Sequence, residues 1–175
     1  EVVEAVLRIW RAQLLNVQLP DSGYAIYILE GALEHAGLLI RRLGSWSGVV
    51  IVSNPTVWEL YGGRLRTSLA SVGLSAVPAL MPDGEAFKTL TTVAELYERF
   101  LDAGLDRAGL VVALGGGVVG DTAGFAAATY MRGVSFVQVP TTLLAMIDAS
   151  AGGKAGVDLP RGKNLVGAFH QPRLV

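Results

Sequence analysis

Cysteine is absent from the chain, so it forms no disulfide and offers no thiolate to a zinc ion; a cytoplasmic location is the expectation that follows. Histidine is nearly absent too. His35 and His170 stand far apart, with no metal-ligand spacing around either, and His35 reads as an ordinary helix histidine. Charge is sparse at 17% of residues, with a net value of −1, which gives no reason to expect a nucleic acid or a membrane surface as partner. No apolar run is long enough to span a membrane, and the front of the chain shows neither the charged region nor the cleavage site of a secretion signal.

What is present is a large apolar fraction, 51% over 175 residues, enough for one domain with a core of its own. Glycine is abundant as well, at 22 residues, and clusters after position 108. Glu1 to Ala12 places Val2, Val3, Ala5, Val6, Ile9 and Trp10 near helical spacing. Residues 1–15 therefore read as a leading helix, the tail of something upstream, and 16–175 as the α/β domain.

Along that domain, apolar runs of strand length alternate with helical patterns. Val17 to Pro20 and Tyr24 to Leu29 read as strands joined by a turn at Pro20-Asp21-Ser22-Gly23. Gly31 to Leu43 reads as a helix, and Gly48 to Ser53 as a buried strand. Pro55 opens a helix towards Val72, which Gly62-Gly63 weakens unless they mark a close contact. Leu74 to Met81 is a strand, Pro82 to Lys88 a polar loop, and Thr89 to Ala103 a helix with an apolar stripe. This alternation predicts a Rossmann-like, mostly parallel sheet with helices on both faces.

The sharpest local signal is Leu110 to Asp121. A buried strand ends in Gly115, Gly117 and Gly120, spaced G-x-G-x-x-G, and Thr122 to Tyr130 reads as the helix that follows, with Asp121 as its N-cap. Two readings stand side by side. One is a pyrophosphate cradle on bare backbone at a helix N-terminus; the other is a plain strand-to-helix turn. A standard dinucleotide site carries an acid at the end of the next strand, but that strand ends Gln138-Val139-Pro140. The ribose would then need other groups, such as Asn54, Glu85 or Lys88.

Pro140-Thr141-Thr142 opens a further helix reaching Ala149. Asp148 sits near its C-terminus, against the dipole, and so calls for a cation or a ligand. Two glycine-flanked segments follow, one ending at Lys154 and the other carrying Lys163 and Asn164. They read either as a solvated loop or as a surface for a phosphate and a carboxylate, with Arg132 as a further cation.

Taken in order, these motifs resemble the 3-dehydroquinate synthase family, within the sugar phosphate cyclases. The matching residues are Gly115 to Asp121, Gly124 to Ala127, Tyr130 to Gly133, Gln138 to Ala145, Asp148 to Ser150, Gly152 to Lys154 and Gly162 to Phe169, together with Asp83 to Lys88. The resemblance implies NAD as cofactor, held by Asn54, Asp83, Glu85, Lys88, Gly116, Gly117, Val118, Asp121, Thr141, Thr142 and Lys163. It implies substrate contacts at Arg132, Asp148, Lys154 and Asn164, the substrate being a phosphorylated sugar acid. The implied reaction converts 3-deoxy-D-arabino-heptulosonate 7-phosphate to 3-dehydroquinate with loss of phosphate, a shikimate-pathway step by a homodimer. Family members continue into a helical C-terminal domain that supplies a catalytic zinc, and the residues here show no zinc site. The expectation is therefore a cofactor-binding half, inactive alone, and in some organisms fused behind shikimate kinase. Pro55 after Asn54 departs from the family pattern. Alternatives are another sugar phosphate cyclase, such as a 2-deoxy-scyllo-inosose synthase, a glycerol-dehydrogenase-like enzyme, or a non-catalytic nucleotide-binding module.

Overall fold

The computed structural model describes residues 13–20 and 23–175. The expected leading helix, Glu1 to Ala12, lies outside them, as do Asp21 and Ser22 of the first turn. Strand β1 (Gln13–Gln18) begins four residues ahead of the expected Val17 and pairs antiparallel with β2 (Gly23–Ile28). Helix α1 (Ala32–Leu43) follows, entered through Gly31 in the left-handed region.

Val49 to Ser53 is apolar almost throughout because it is covered on both sides. This strand, β3 (Val49–Ser53), pairs in parallel with β4 (Ala76–Leu80) on one side and β5 (Leu110–Gly115) on the other, and β5 pairs in parallel with β6 (Ser135–Pro140). Alternate residues sort into two cores. Val50, Val52, Val111 and Ala113 face α4 (Leu90–Asp102) and α5 (Gly117–Thr129). Val49, Ile51, Leu110, Val112 and Leu114 face α1 and α3 (Gly63–Ala70). The parallel sheet with helices on both faces is thus present.

Three helical expectations shift. The run from Pro55 is not one helix: α2 (Pro55–Val57) passes through a π turn (Trp58–Gly62) before α3. The Trp58 ring occupies the space beside Gly62, where an added Cβ would lie 2.4 Å from it, so the close contact expected at the glycine pair is made by Gly62. Helix α5 begins at Gly117, not Thr122, and its N-cap is Gly116; Asp121 lies one turn inside and caps nothing. Glycine's helical penalty of about 1 kcal/mol is offset there by burial of Val119. Pro140 ends β6 rather than opening a helix, and Ala145–Ala149 forms a π turn.

The glycine-flanked segment beyond is a hairpin, β7 (Lys154–Leu159) and β8 (Gly162–Phe169), paired antiparallel. It lies on α5, and Gly124 lets it approach: a Cβ there would stand 3.0 Å from Ala155.

Candidate active site

The carboxyl ends of β3, β5 and β6 converge at one edge of the sheet, where parallel α/β folds gather ligands. Asn54 follows β3, and its Oδ1 accepts the Val57 N–H at 2.8 Å, which fixes it as the cap of α2. Asp83 accepts a hydrogen bond from Thr56 Oγ1 at 2.8 Å. At the end of β5, the first closing bond of α5 runs from Gly120 N–H to the Gly116 carbonyl, at 3.0 Å. The N–H groups of Gly117, Val118 and Val119 therefore have no partner within the helix, and they stand at its positive end. The Thr141 N–H donates to the Gly115 carbonyl at 3.0 Å, while its buried Oγ1 has no partner. Thr142 Oγ1 accepts from Ala145 N–H at 3.3 Å, and its methyl lies beside Gly116, 3.1 Å from where a Cβ would be. Bare backbone, free N–H groups and an orphaned hydroxyl fit the diphosphate of a dinucleotide.

Lys88 is the hub of the arrangement. Its side chain is 5% exposed, and Nζ donates to Asp121 Oδ2 at 2.5 Å and to Asn164 Oδ1 at 2.6 Å. Its carbonyl accepts the Asp158 N–H at 2.8 Å, and Asp158 Oδ1 in turn accepts the Asn164 N–H at 2.7 Å. Asn164 takes a left-handed φ of 54°, which asparagine tolerates better than most residues. Lys163 Nζ donates to Glu85 Oε1 at 2.9 Å on the surface, and this carboxylate lifts the Lys163 ammonium pKa. The 85–88 loop, α5 and the hairpin are thereby tied together. Burial pushes the Asp121 carboxyl above the usual carboxylate range, and the Lys88 ammonium pulls the other way without overcoming it.

Beside this hub lies an open cavity of about 530 Å³, lined by Asp121, Asp148, Lys154 and Asn164 among others. Three of the four expected substrate contacts are therefore brought together next to the helix N-terminus. Asp148, expected to hold a cation, makes no ion pair among the described residues; it shares the cavity wall with Lys154. Arg132 is not brought there. It follows α5, its φ of 69° is left-handed, and it lines a separate cavity of about 400 Å³ with Arg107, His170 and Arg173, near the start of β6. That is the opposite edge of the sheet. Asp158 and Thr56 had no signal in the sequence, because each matters only through a partner brought close by folding. Among the described residues no group of three His, Asp or Glu side chains is placed to hold a metal ion.

Residues 78–175 match the family described as 3-dehydroquinate synthase N-terminal. A 3-dehydroquinate synthase of Pelotomaculum thermopropionicum is 55% identical over 163 residues, which cover 93% of this chain and 44% of that protein. A 2-deoxy-scyllo-inosose synthase, solved with carbaglucose-6-phosphate, NAD+ and Co2+, superposes with a TM-score of 0.86 at 31% identity, over 93% of this chain and 44% of its own. The 2-epi-5-epi-valiolone synthase of Streptomyces hygroscopicus subsp. jinggangensis, solved with NAD+ and Zn2+, gives a TM-score of 0.78 at 33% identity, over 90% and 43%. An iron-containing alcohol dehydrogenase, 19% identical with a TM-score of 0.72, shares the fold. The chain spans less than half the length of each of these relatives.

Proposed function

This chain belongs to the 3-dehydroquinate synthase family, and from that premise we propose that it is the cofactor-holding half of an enzyme that converts 3-deoxy-D-arabino-heptulosonate 7-phosphate to 3-dehydroquinate with release of phosphate. The observation that carries the reading is the shared cavity. Asp148, Lys154 and Asn164 line it together with Asp121 of α5 and with Ala149, which lies beside Gly117 at the start of that helix. NAD would be held by the backbone of Gly116, Gly117 and Val118, by Thr141 and Thr142, and by the loop from Asp83 to Lys88. When bound it supplies a reversible hydride acceptor, which makes the neighbouring carbon acidic enough to expel phosphate.

The chain's own groups bind and orient. The Lys154 ammonium holds a substrate anion and leaves it free to depart, as a point charge does better than a fork. The Asp148 carboxylate accepts a hydrogen bond from a substrate hydroxyl. Asn164, its carbonyl oxygen fixed by Lys88, turns its amide N–H groups to the substrate. Asp121, whose carboxyl burial pushes above the usual carboxylate range while Lys88 pulls it back, faces the cofactor. Arg132 sits at the far edge of the sheet, so it reaches a substrate phosphate only when a second copy presents it, which accords with a homodimer.

The test joins this chain to the C-terminal part of the Pelotomaculum thermopropionicum relative and follows phosphate release with NAD present. Release from the heptulosonate phosphate and none from glucose 6-phosphate is the expected result. Release from the hexose phosphate alone would assign the chain to the inosose-forming branch instead. In a second arm, Arg132→Ala and Lys154→Ala versions, each inactive alone, regain activity on mixing; no recovery would refute the shared site.

A further inference from the structure

The β7–β8 hairpin does not close in a single register. Val157 stands opposite Val166, and Leu159 stands opposite Gly162. Asp158 alone therefore faces three residues, Lys163, Asn164 and Leu165. Pro160 opens the connecting turn with φ held at about −65°, which excludes the two-residue turns that best match strand twist. The extra residues of β8 form a bulge, a device that re-aims side chains beside sites. At its centre Asn164, with a φ of 54°, gives its N–H to a side chain: Asp158 Oδ1 accepts it at 2.7 Å. The main chain of Asp158 turns the other way, and its N–H donates to the Lys88 carbonyl at 2.8 Å. Lys88 Nζ donates in turn to Asn164 Oδ1 at 2.6 Å. These three bonds form a closed ring. Asn164 is held at both its N–H and its Oδ1, while its amide N–H groups have no partner among the described residues and belong to a side chain that lines the cavity.

We propose that Asp158 is a positioning residue for the reaction: its carboxylate fixes the bulge that aims Asn164 at the substrate, and it acts on catalysis only through Asn164. This rests on the reading of Asn164 as a substrate contact given above. Asp158 does not itself line the cavity, so it reaches the substrate only through its partners. A carboxylate suits the task, because an ionised acceptor holds an N–H about twice as strongly as a neutral one. Its charge has a second reach. After burial, the main cause, it helps to raise the Asp121 carboxyl; after Glu85, it helps to raise the Lys163 ammonium. Action through that charge is the competing route. Asparagine at 158 separates the two, since it keeps an acceptor oxygen and removes the charge.

The test uses this chain joined to the C-terminal part of the Pelotomaculum thermopropionicum relative, saturated with NAD, and the changes Asp158→Ala, Asp158→Asn and Asn164→Gly. Glycine keeps the left-handed backbone and the N–H of position 164 and removes only the amide. Asp158→Ala lowers kcat/KM for the heptulosonate phosphate about tenfold or more, while Asp158→Asn stays within about threefold of the unaltered protein. On top of Asn164→Gly, Asp158→Ala costs no more than about twofold further. A merely structural aspartate would lower kcat/KM equally in both backgrounds, and one acting by charge would lose as much with asparagine as with alanine; either result overturns the proposal. A second arm needs no substrate. In the chain itself, followed by NMR, Asp158→Ala speeds exchange of the Asn164 amide about tenfold or more, and Asp158→Asn does not. Equal exchange in all three proteins overturns the proposal whatever the kinetics. No phosphate release by the unaltered joined protein would instead count against the proposed reaction, and the exchange arm would then decide whether Asp158 holds Asn164.

Discussion

At the scale of single residues, one buried ammonium holds the site's parts in place. Lys88 connects Asp121 on α5 with Asn164 on the hairpin, both more than thirty positions away in sequence. Lys88→Met would leave Asp121 largely buried without its cation and Asn164 unheld. We expect a loss of about 3 kcal/mol in urea unfolding; a change near zero would mean that the pair is incidental. The same variant should push the Asp121 carboxyl higher still, followed by carboxyl-carbon NMR titration, since Lys88 is the group that lowers it. The sign for stability follows from the raised value. The proton on Asp121 adds stability below the ordinary aspartate value near 3.9, and that contribution fades as pH rises through the raised one. Glu34, lowered mainly by its hydrogen bond from Arg64, acts in the opposite sense and loses its contribution as pH falls. Placement beside the cavity was legible in the sequence for Asp148, Lys154 and Asn164, which stand in or next to glycine-flanked segments. No such signal marked Asp158, whose role is to hold a segment six residues on and a loop seventy residues back.

At the scale of elements, strands were legible because period and burial agree. Val49 to Ser53 and Leu110 to Gly115 are apolar in both phases and are buried in both. Helix starts were harder. Gly117 to Gly120 looks like a loop by propensity, yet tertiary contacts make it the first turn of α5. Asp121, a good cap by type, sits where no cap is needed. Pro140-Thr141-Thr142 was read as a helix start because proline suits a first turn, but proline also suits the last residue of a strand. Glycine at Gly37 shows how packing overrides propensity. Replacing it with alanine in a free helix would gain about 1 kcal/mol. Here the new methyl would lie 2.0 Å from the Ser68 carbonyl oxygen, because α1 and α3 touch at that point. Gly37→Ala should therefore destabilise by about 1–3 kcal/mol. Thermal and urea unfolding read the sign directly, and a gain would show that the two helices are not in contact there.

At the scale of the whole molecule, the sheet sorts the candidate site to one edge and Arg132 to the other. Sequence order gave no hint of this separation, since Arg132 falls between Asp121 and Asp148 in the chain. Parallel connections explain it: each crossover carries the chain from the carboxyl edge back to the amino edge, and Arg132 lies at the return after α5. What groups the remaining residues is the combination of a glycine turn and a hairpin folded back over the helix it begins. The central claim is that this turn cradles a cofactor's phosphates rather than merely joining strand to helix. Gly117→Ala separates the two. Its Cβ would meet only Ala149, at an ordinary 3.4 Å, so the fold should survive with an unchanged melting temperature. In the chain joined to its relative's C-terminal part, NAD affinity measured by calorimetry should fall about tenfold or more, a loss of at least about 1.4 kcal/mol, because the methyl stands on the backbone that the phosphates must approach. Unchanged affinity with an intact fold would contradict the account.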